Sequence, residues 1–397
     1  MMRIKFSFRK IFTERGVATL YLVLMCVQIV SVEGYGVSPL KVAVMAIAPL
    51  LFLFVVPYIS RVFIWGVAYY CIVLFCAILQ NYVRFSTIGY LGMFLITFIV
   101  YYNLVYSGAF TLCYFIKLLR FLIGGFAVCL ILQQICLLVG VRNLPIINLC
   151  NQNFLSLTKL PSLMIEPSHV ARILGCLYLA YLKCCAIEEG IISFKDIFKQ
   201  KHLWVTLGFL WVMLTMGSGT AFIVLMVLSL YFVRKKTVAW IVPIVLCLYF
   251  IIPFLGIKQL DRSINVINAT LTGDSELIFQ TDNSAAVRVN PILNTIADLD
   301  ISASETWVGK GTLNEKKQLS TFVSGTSKIG GIDQYGLISY ILAIGLIFTC
   351  CINKILSIET ILFVVVFGAG LGNIAYGWAA LMIFTSIRYF YLKKCKS

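Results

Sequence analysis

Residues 86–106 read STIGYLGMFLITFIVYYNLVY and contain no charged side chain. A helix needs about 20 mostly apolar residues to cross the hydrocarbon core of a bilayer, and this run of 21 residues has that length. Comparable apolar runs recur along most of the chain. The pattern therefore predicts an all-α polytopic membrane protein.

The composition supports the same class of protein. Of the 397 residues, 61% are hydrophobic and only 12% are charged, which is too little polar surface for a soluble globular protein. The 32 basic and 16 acidic side chains give a net charge of +16. Such a charge suits nucleic acid, anionic lipid or an asymmetric membrane topology, and the distribution of the charges must decide between them.

We predict about twelve transmembrane helices with both termini in the cytoplasm. The first helix follows a basic flank that a signal peptide would share, but no clean cleavage site of small residues follows it, so we expect a retained helix. The predicted helices span residues 16–33, 40–59, 62–80, 86–106, 119–140, 168–187, 203–217, 219–233, 238–256, 332–352, 355–371 and 374–392.

The segment 203–233 has two interpretations, because Gly217-Ser218-Gly219-Thr220 divides it into halves. Each half is only about 22 Å long as a helix. One long helix would place the lysines before it and Arg234-Lys235-Lys236 after it on opposite faces, against the cytoplasmic excess of basic residues. We therefore predict a short hairpin. Its tip either lines a cavity or is a tight turn between packed helices.

Basic residues are unevenly distributed over this topology. Twenty of the 32 lie in cytoplasmic segments, five in short outer segments and seven in the polar stretch 257–331, whose eight acids give it a net charge of −1. The asymmetry is typical of membrane orientation and argues against nucleic acid as a partner. The chain then divides into residues 1–256, with nine helices and a smaller outer loop at 141–167, the large outer loop 257–331, and residues 332–397, with three helices and a cytoplasmic tail.

Cysteine and histidine usage predicts neither a disulfide framework nor a metal site. All 14 cysteines except Cys150 lie in predicted helices, their cytoplasmic flanks or the tail. There is no C-x-x-C pair, and the two histidines are His169 and His202. No Walker or dinucleotide glycine motif is present, so we expect no cofactor.

The first candidate site is Met164-Ile165-Glu166-Pro167-Ser168-His169-Val170-Ala171-Arg172, where Pro167 suits the first turn of a helix. Glu166, His169 and Arg172 would then fall within a sector of about 120°. A helix N-terminus favours anions such as phosphate, and Arg172 adds positive charge. The alternative is that Glu166 and Ser168 only cap the helix, while Arg172 reaches the lipid headgroups.

The second candidate site lies in the large outer loop. Arg288 is suited to binding phosphate, Trp307 to stacking on a sugar ring, and Gly309 and Gly311 to close approach of the backbone to a ligand. Arg262 adds positive charge close to the membrane.

Four short segments resemble bacterial O-antigen polymerases, the membrane enzymes that join lipid-linked oligosaccharide repeat units. The resemblance lies in their order and sidedness, and it covers most of the chain in topology. The segments are Glu166-Pro167-Ser168 opening a helix, Leu214-Thr215-Met216-Gly217-Ser218-Gly219 in the split pair, Arg288 leading to Trp307-x-Gly309-x-Gly311, and Asp333-Gln334-Tyr335-Gly336-Leu337-Ile338 entering the tenth helix.

The resemblance implies a glycosyltransferase C-like fold in the bacterial inner membrane, with the loop 257–331 periplasmic between helices nine and ten. It implies transfer of the growing glycan from polyprenyl diphosphate onto the next lipid-linked repeat unit, without a metal, and a chain-length regulator as partner. The expected catalytic residues are Glu166, His169 and Arg288, with either Glu166 or His169 as the base. The expected diphosphate and glycan ligands are Arg172, Arg262, Trp307, Gly309 and Gly311.

Two sequence features bear on the resemblance. The first concerns the choice between a ligase and a polymerase, and the second is a polymerase motif that this chain lacks. Related O-antigen ligases place a histidine before the helix that corresponds to 332–352, and residues 326–333 contain none, which favours a polymerase. Some polymerases carry Arg-x10-Gly motifs in both outer loops, and neither Arg142 nor Arg288 has a glycine at that spacing.

A ligase is the nearest enzymatic alternative, and a flippase for the same lipid-linked sugar is the alternative from another class. Transporters often consist of two similar halves, and we find no such repeat. Their ionisable residues line a pathway within the membrane, whereas Lys117 and Lys183 lie near helix ends, where we expect them to reach the headgroups.

Overall fold

Helices and the turns between them make up the part of the chain that the computed structural model describes. The described residues are 13–28, 39–54, 59–79, 85–140, 159–190, 192–233, 265–266, 268–281, 283–309, 332–367, 371 and 375–395. No strand occurs among them, so the predicted all-helical class is confirmed for these residues.

Fifteen α-helices have both ends in these ranges, and residues 265–266 and 268–271 are helical as well. They are α1 Glu14–Cys26, α2 Pro39–Ala46, α3 Ala48–Phe54, α4 Arg61–Leu79, α5 Phe85–Tyr106, α6 Leu112–Leu138, α7 Pro167–Glu189, α8 Gln200–Thr215, α9 Gly219–Ser229, α10 Ser275–Thr281, α11 Asn283–Asp298, α12 Ser304–Val308, α13 Ile332–Leu346, α14 Ile358–Ile361 and α15 Ala375–Lys394. Short 3₁₀ or π segments precede α8 and extend α9, α13 and α14; they are Asp196–Phe198, Leu230–Phe232, Ile347–Cys351 and Leu362–Val366.

Five helical segments in the described ranges are long and apolar enough to cross a membrane, and the chain is a helical membrane protein on that ground. They are Arg61–Leu79, Ile88–Tyr106, Leu112–Leu138, Pro167–Glu189 and Gln334–Cys351. Large apolar side chains such as Phe121, Trp204 and Leu138 are more than 70% exposed on the bundle, as lipid-facing side chains are. Twelve spans and the sidedness of the loops stay predictions, and the predicted helix 238–256 lies outside the described residues.

Among four of the five long helices, the less apolar ones are the more buried. In their most apolar windows, α5 and α7 have mean hydropathies of 1.8 and 1.7 and are 72% and 78% buried. The corresponding values for α4 and α6 are 2.4 and 2.3, with 33% and 39% buried. The segment Gln334–Cys351 departs from this relation, with 1.7 and 39%. The least apolar of these four helices thus form the interior, where their polar groups find partners.

The central helices are joined by such polar contacts. Tyr101 of α5 and Ser386 of α15 share a hydrogen bond of 2.7 Å, and both side chains are fully buried. Trp378 of α15 packs against Phe94 and Phe98 of α5. These contacts hold α15 against α5, while α15 also packs along α7.

Three helix boundaries can be compared with the prediction: two differ from it and one agrees with it. α6 begins at Leu112 instead of residue 119, because the Thr111 side chain caps it by accepting from the Tyr114 N–H. The predicted helix 40–59 is divided, with α2 ending at Ala46 and α3 beginning at Ala48. The predicted break in 203–233 is confirmed, since α8 ends at Thr215, Gly217 takes a φ of +72° and α9 begins at Gly219.

The prediction that Lys183 extends to the headgroups is wrong. Its ammonium forms an ion pair with Glu359 of α14, whose side chain is 8% exposed. The pair joins α7 to α14, and such a buried carboxylate needs a cation because removing it from water is costly.

The two ends of the bundle are named here by α7. The Glu166 end is where α7 begins, and the Glu189 end is where it finishes, about 33 Å away for its 23 residues. α8 runs from the Glu189 end to the Glu166 end, and α9 returns beside α7, where Val224 packs on Gly175.

Residues 160–166, which we call the buried bend, lead into α7 without forming a helix of their own. The Leu160 N–H donates to the Met216 carbonyl at the break between α8 and α9, at 3.2 Å. The Leu163 carbonyl accepts from the Gln28 N–H after α1, at 2.8 Å. Irregular backbone at membrane depth persists only where protein satisfies it or where it lines a cavity.

Gln133 of α6 makes two further hydrogen bonds to the backbone of the buried bend. Its amide oxygen accepts from the Ser162 N–H at 2.8 Å, and its amide nitrogen donates to the Ser162 carbonyl at 3.0 Å. The Ser162 hydroxyl donates to the Phe126 carbonyl at 2.7 Å. Ser162 has a φ of 47°, a left-handed conformation that costs a non-glycine residue energy and needs this support.

We expect Gln133→Leu to lower the thermal unfolding midpoint of the detergent-purified protein. The change leaves the buried N–H and carbonyl of Ser162 without partners, at about 1 to 3 kcal/mol for each group. The matched control is Gln134→Leu, because among the described residues Gln134 bonds to the Thr215 hydroxyl and the Trp211 indole, at a more exposed position. Equal midpoints for the two variants would show that the bend does not depend on Gln133.

Candidate functional site

The first predicted site lies where the buried bend becomes α7. Glu166 is the N-cap residue, with extended φ and ψ of −131° and 145°, and Pro167 occupies the first turn. The proline ring fixes a helical φ at a position whose N–H would be unpaired in any case. The helix therefore starts at the residue that the sequence predicts, and the first turns of α7 carry Glu166, His169 and Arg172.

Glu166 and His169 form a pair. The His169 Nε2 lies 3.7 Å from a Glu166 carboxylate oxygen, and the Ser168 hydroxyl donates to the same oxygen at 3.2 Å. The Glu166 side chain is 57% exposed and that of His169 is 24% exposed. The pair is thus open to a ligand on one side.

Tyr376, near the start of α15, joins His169 to Arg172. The His169 and Tyr376 rings lie 4.4 Å apart. An Arg172 guanidinium nitrogen donates to the Tyr376 hydroxyl at 2.6 Å, and its central carbon lies 4.9 Å from the ring centre. The three predicted residues are therefore brought together with a fourth that the sequence analysis missed. Its only signal is an aromatic residue with a hydroxyl group, following glycines, at the start of the last helix.

The structure argues against both parts of the capping alternative. The Glu166 side chain makes no capping hydrogen bond to α7. Arg172 turns onto Tyr376, and its Nε is buried without a hydrogen-bond partner among the described residues. A buried guanidinium N–H without an acceptor costs energy, and an anionic ligand that reached it would supply the acceptor.

The second predicted site contains a contact between two parts of the chain that the motifs singled out. Gly309 follows α12, with a φ of +83°, and packs against the backbone of Gln334 and Gly336 in α13. The Trp307 indole donates to the Ile301 carbonyl at 2.9 Å, and the side chain is 36% exposed. Gly309 thus allows another segment of the same chain to approach closely. Its role in binding a ligand stays a prediction.

Gly336 is the other half of this contact. It has a φ of +77° inside α13, and an added Cβ would lie 2.0 Å from the Trp307 carbonyl oxygen. The contact fixes residues 307–309 of the large loop to the start of α13.

We expect Gly336→Ala to release residues 304–309 from α13, because backbone atoms leave no room for the methyl group. Limited proteolysis of the detergent-purified protein should then cleave in this part of the loop faster than in the unmodified protein. Gly377→Ala in α15 is the matched control, since no heavy atom of a neighbouring segment lies within 4 Å of the point that its Cβ would occupy. Equal cleavage rates for both variants would rule out the contact.

The other residues predicted for the second site are Arg288, Arg262 and Gly311. The backbone of Arg288 lies in α11, whereas Arg262 and Gly311 lie outside the described residues. Within the described part, the side chains with the spacing of metal ligands are Cys185, Glu189 and His202, at the Glu189 end.

Comparison with known proteins gives no relative. No protein-family model, curated protein or solved structure matches the chain.

Proposed function

We propose that the chain is an O-antigen polymerase, a glycosyltransferase of the bacterial inner membrane. In this proposal it moves the growing glycan from polyprenyl diphosphate onto the next lipid-linked repeat unit at the periplasmic face. The observation that carries the proposal is the buried Arg172 Nε, which lacks a partner among the described residues, next to the Glu166–His169 pair. A cation and a proton acceptor side by side are what glycosyl transfer from a diphosphate requires.

Arg172 would stabilise the departing diphosphate. The N-terminus of α7 contributes a partial positive charge on the same side, and a guanidinium binds phosphate oxygens in pairs. Tyr376 holds Arg172 by a hydrogen bond and by its ring, so the guanidinium is positioned before substrate binds. Arg288 and Arg262 would add positive charge from the large loop.

The transfer itself needs one proton acceptor. The acceptor-sugar hydroxyl attacks the anomeric carbon, the bond from that carbon to the phosphate oxygen breaks, and the diphosphate leaves with the electron pair. The hydroxyl proton goes to Glu166 or His169, whose side chains lie 3.7 Å apart. Such a base contributes typically about 10²- to 10⁴-fold in rate. The donor diphosphate supplies the energy.

The contact of Trp307 and Gly309 with α13 would hold the sugar-binding part of the loop. The Trp307 ring is partly exposed while its indole N–H is fixed on Ile301, an arrangement suited to stacking on a sugar face. A chain-length regulator would be a further partner, as the resemblance implies.

Replacing Glu166, Arg172 or Arg288 by alanine should leave lipopolysaccharide with a single repeat unit, because each change removes a proton acceptor or a diphosphate ligand. The variants are expressed in the source bacterium lacking the chromosomal gene, and lipopolysaccharide is resolved by gel electrophoresis beside a measurement of membrane protein level. Lys159→Ala, an exposed basic residue just before the buried bend, is the control and should keep the ladder. A normal ladder from all three alanine variants would refute the site.

Deletion of the gene separates the proposed function from its two alternatives. Loss of a polymerase leaves the core with one repeat unit. Loss of a ligase leaves bare core with polymer on its lipid carrier, and loss of a flippase leaves bare core with repeat units held inside the cell. We expect the first result, and either of the others would replace the proposal.

A further inference from the structure

Three side chains with metal-binding atoms meet at the Glu189 end of the bundle. Cys185 and Glu189 lie one turn apart on α7, and His202 lies in the first turn of α8. The cysteine sulfur, a carboxylate oxygen and an imidazole nitrogen all lie within 4.8 Å of one another. We propose that Cys185, Glu189 and His202 bind a zinc ion, with a water molecule as the fourth ligand.

The ligand types and their separation suit this ion. Zinc takes thiolate, imidazole and carboxylate ligands in tetrahedral geometry, and bond lengths of about 2.0 to 2.3 Å place ligand atoms roughly 3.3 to 3.6 Å apart. The His202 Nε2 and a Glu189 carboxylate oxygen are 3.3 Å apart. These two atoms already have the separation of zinc ligands, and the Cys185 sulfur, which lies within 4.8 Å of both, completes the set by moving closer.

The orientation of His202 is that of a ligand held by a second residue. Its Nδ1 is 2.7 Å from the Tyr181 hydroxyl, and the imidazole is 3% exposed. Zinc-bound histidines almost always donate their other ring nitrogen to such a partner, which fixes the ring and the tautomer. When Nδ1 carries the proton, Nε2 is left with the lone pair that faces Glu189.

Lys201 and Arg120 are the cations that lie beside the three side chains among the described residues. The Lys201 ammonium lies 2.7 Å from one Glu189 oxygen, while His202 faces the other oxygen. Lys199 instead pairs with Asp196, and its hydrogen bond holds the pKa of that carboxyl below the usual range. The Arg120 guanidinium lies over the Tyr181 ring at 5.6 Å. A thiolate and a carboxylate neutralise the two charges of zinc, so the occupied site is neutral overall.

This site departs from the sequence-based expectation of no metal. The spacing of the three ligands resembles no short zinc motif, and only the antiparallel packing of α8 on α7 brings His202 to Cys185 and Glu189. It lies about 29 Å along α7 from Glu166, at 1.5 Å per residue, and is independent of the proposed reaction.

Titration of the full-length, detergent-purified protein with Co²⁺ tests the proposal. A thiolate bound to Co²⁺ gives a near-ultraviolet charge-transfer band, and we expect one equivalent to produce it and Zn²⁺ to displace it. Cys185→Ser should abolish the band, and Tyr181→Phe should weaken binding about 10- to 100-fold by releasing His202. Purification avoids a polyhistidine tag so that the tag binds no metal.

Cys184→Ser is the matched control, because Cys184 is the adjacent buried cysteine and should leave the band unchanged. His202→Gln gives a second reading if Cys185→Ser fails to fold: Zn²⁺ should raise the thermal unfolding midpoint of the unmodified protein but not of this variant. Absence of the band in the unmodified protein, or an equal band in Cys185→Ser, would overturn the proposal.

Discussion

The pair of hydrogen bonds between Gln133 and the backbone of Ser162 is the interaction on which the geometry of the Glu166 end depends. Lipid offers no partner for a polar backbone group, so a non-helical segment inside a helical bundle is stable only if protein groups replace water. Gln133 satisfies both backbone groups of one residue, and the Phe126 carbonyl, about two turns earlier on α6, accepts the Ser162 hydroxyl. Ser162 lies four residues before Glu166, the N-cap residue of α7.

α7 carries both the Glu166 site and the proposed zinc site, and it is the most buried of the long apolar helices in the described part of the chain. At its start, Pro167 and the preceding bend place Glu166 beside His169, with Arg172 one turn further on. At its end, Cys185 and Glu189 meet a histidine from the neighbouring helix. A central helix packs against several others, so side chains from α8 and α15 can reach its two ends without long loops.

The parts of the fold that could be predicted are those that local apolarity determines. The ends of α4, α5 and α7 lie within two residues of the apolar runs at 62–80, 86–106 and 168–187. Glu166, His169 and Arg172 were also predictable as a group, because residues three apart share a helix face. Tyr376 was not, since it lies more than 200 residues along the chain from Arg172 and only the packing of α15 on α7 brings the two together. The error on Lys183 has the same origin, because the carboxylate that it meets belongs to α14. The backbone that Gly309 contacts is likewise that of a distant segment, α13. Periodicity along a sequence identifies the buried face of a helix, whereas the neighbour on that face depends on contacts between distant segments.

α8 extends from one end of the bundle to the other and makes contacts at both. At one end His202 contacts Glu189 and Tyr181, and at the other the carbonyl of Met216 accepts from Leu160 of the buried bend. Between them Gly208 lies close to Ala127 of α6, so the middle of α8 is held. The N-terminal end of α8 is therefore fixed against α7 through His202, and the residue that follows its C-terminal end, Met216, is bonded to the buried bend.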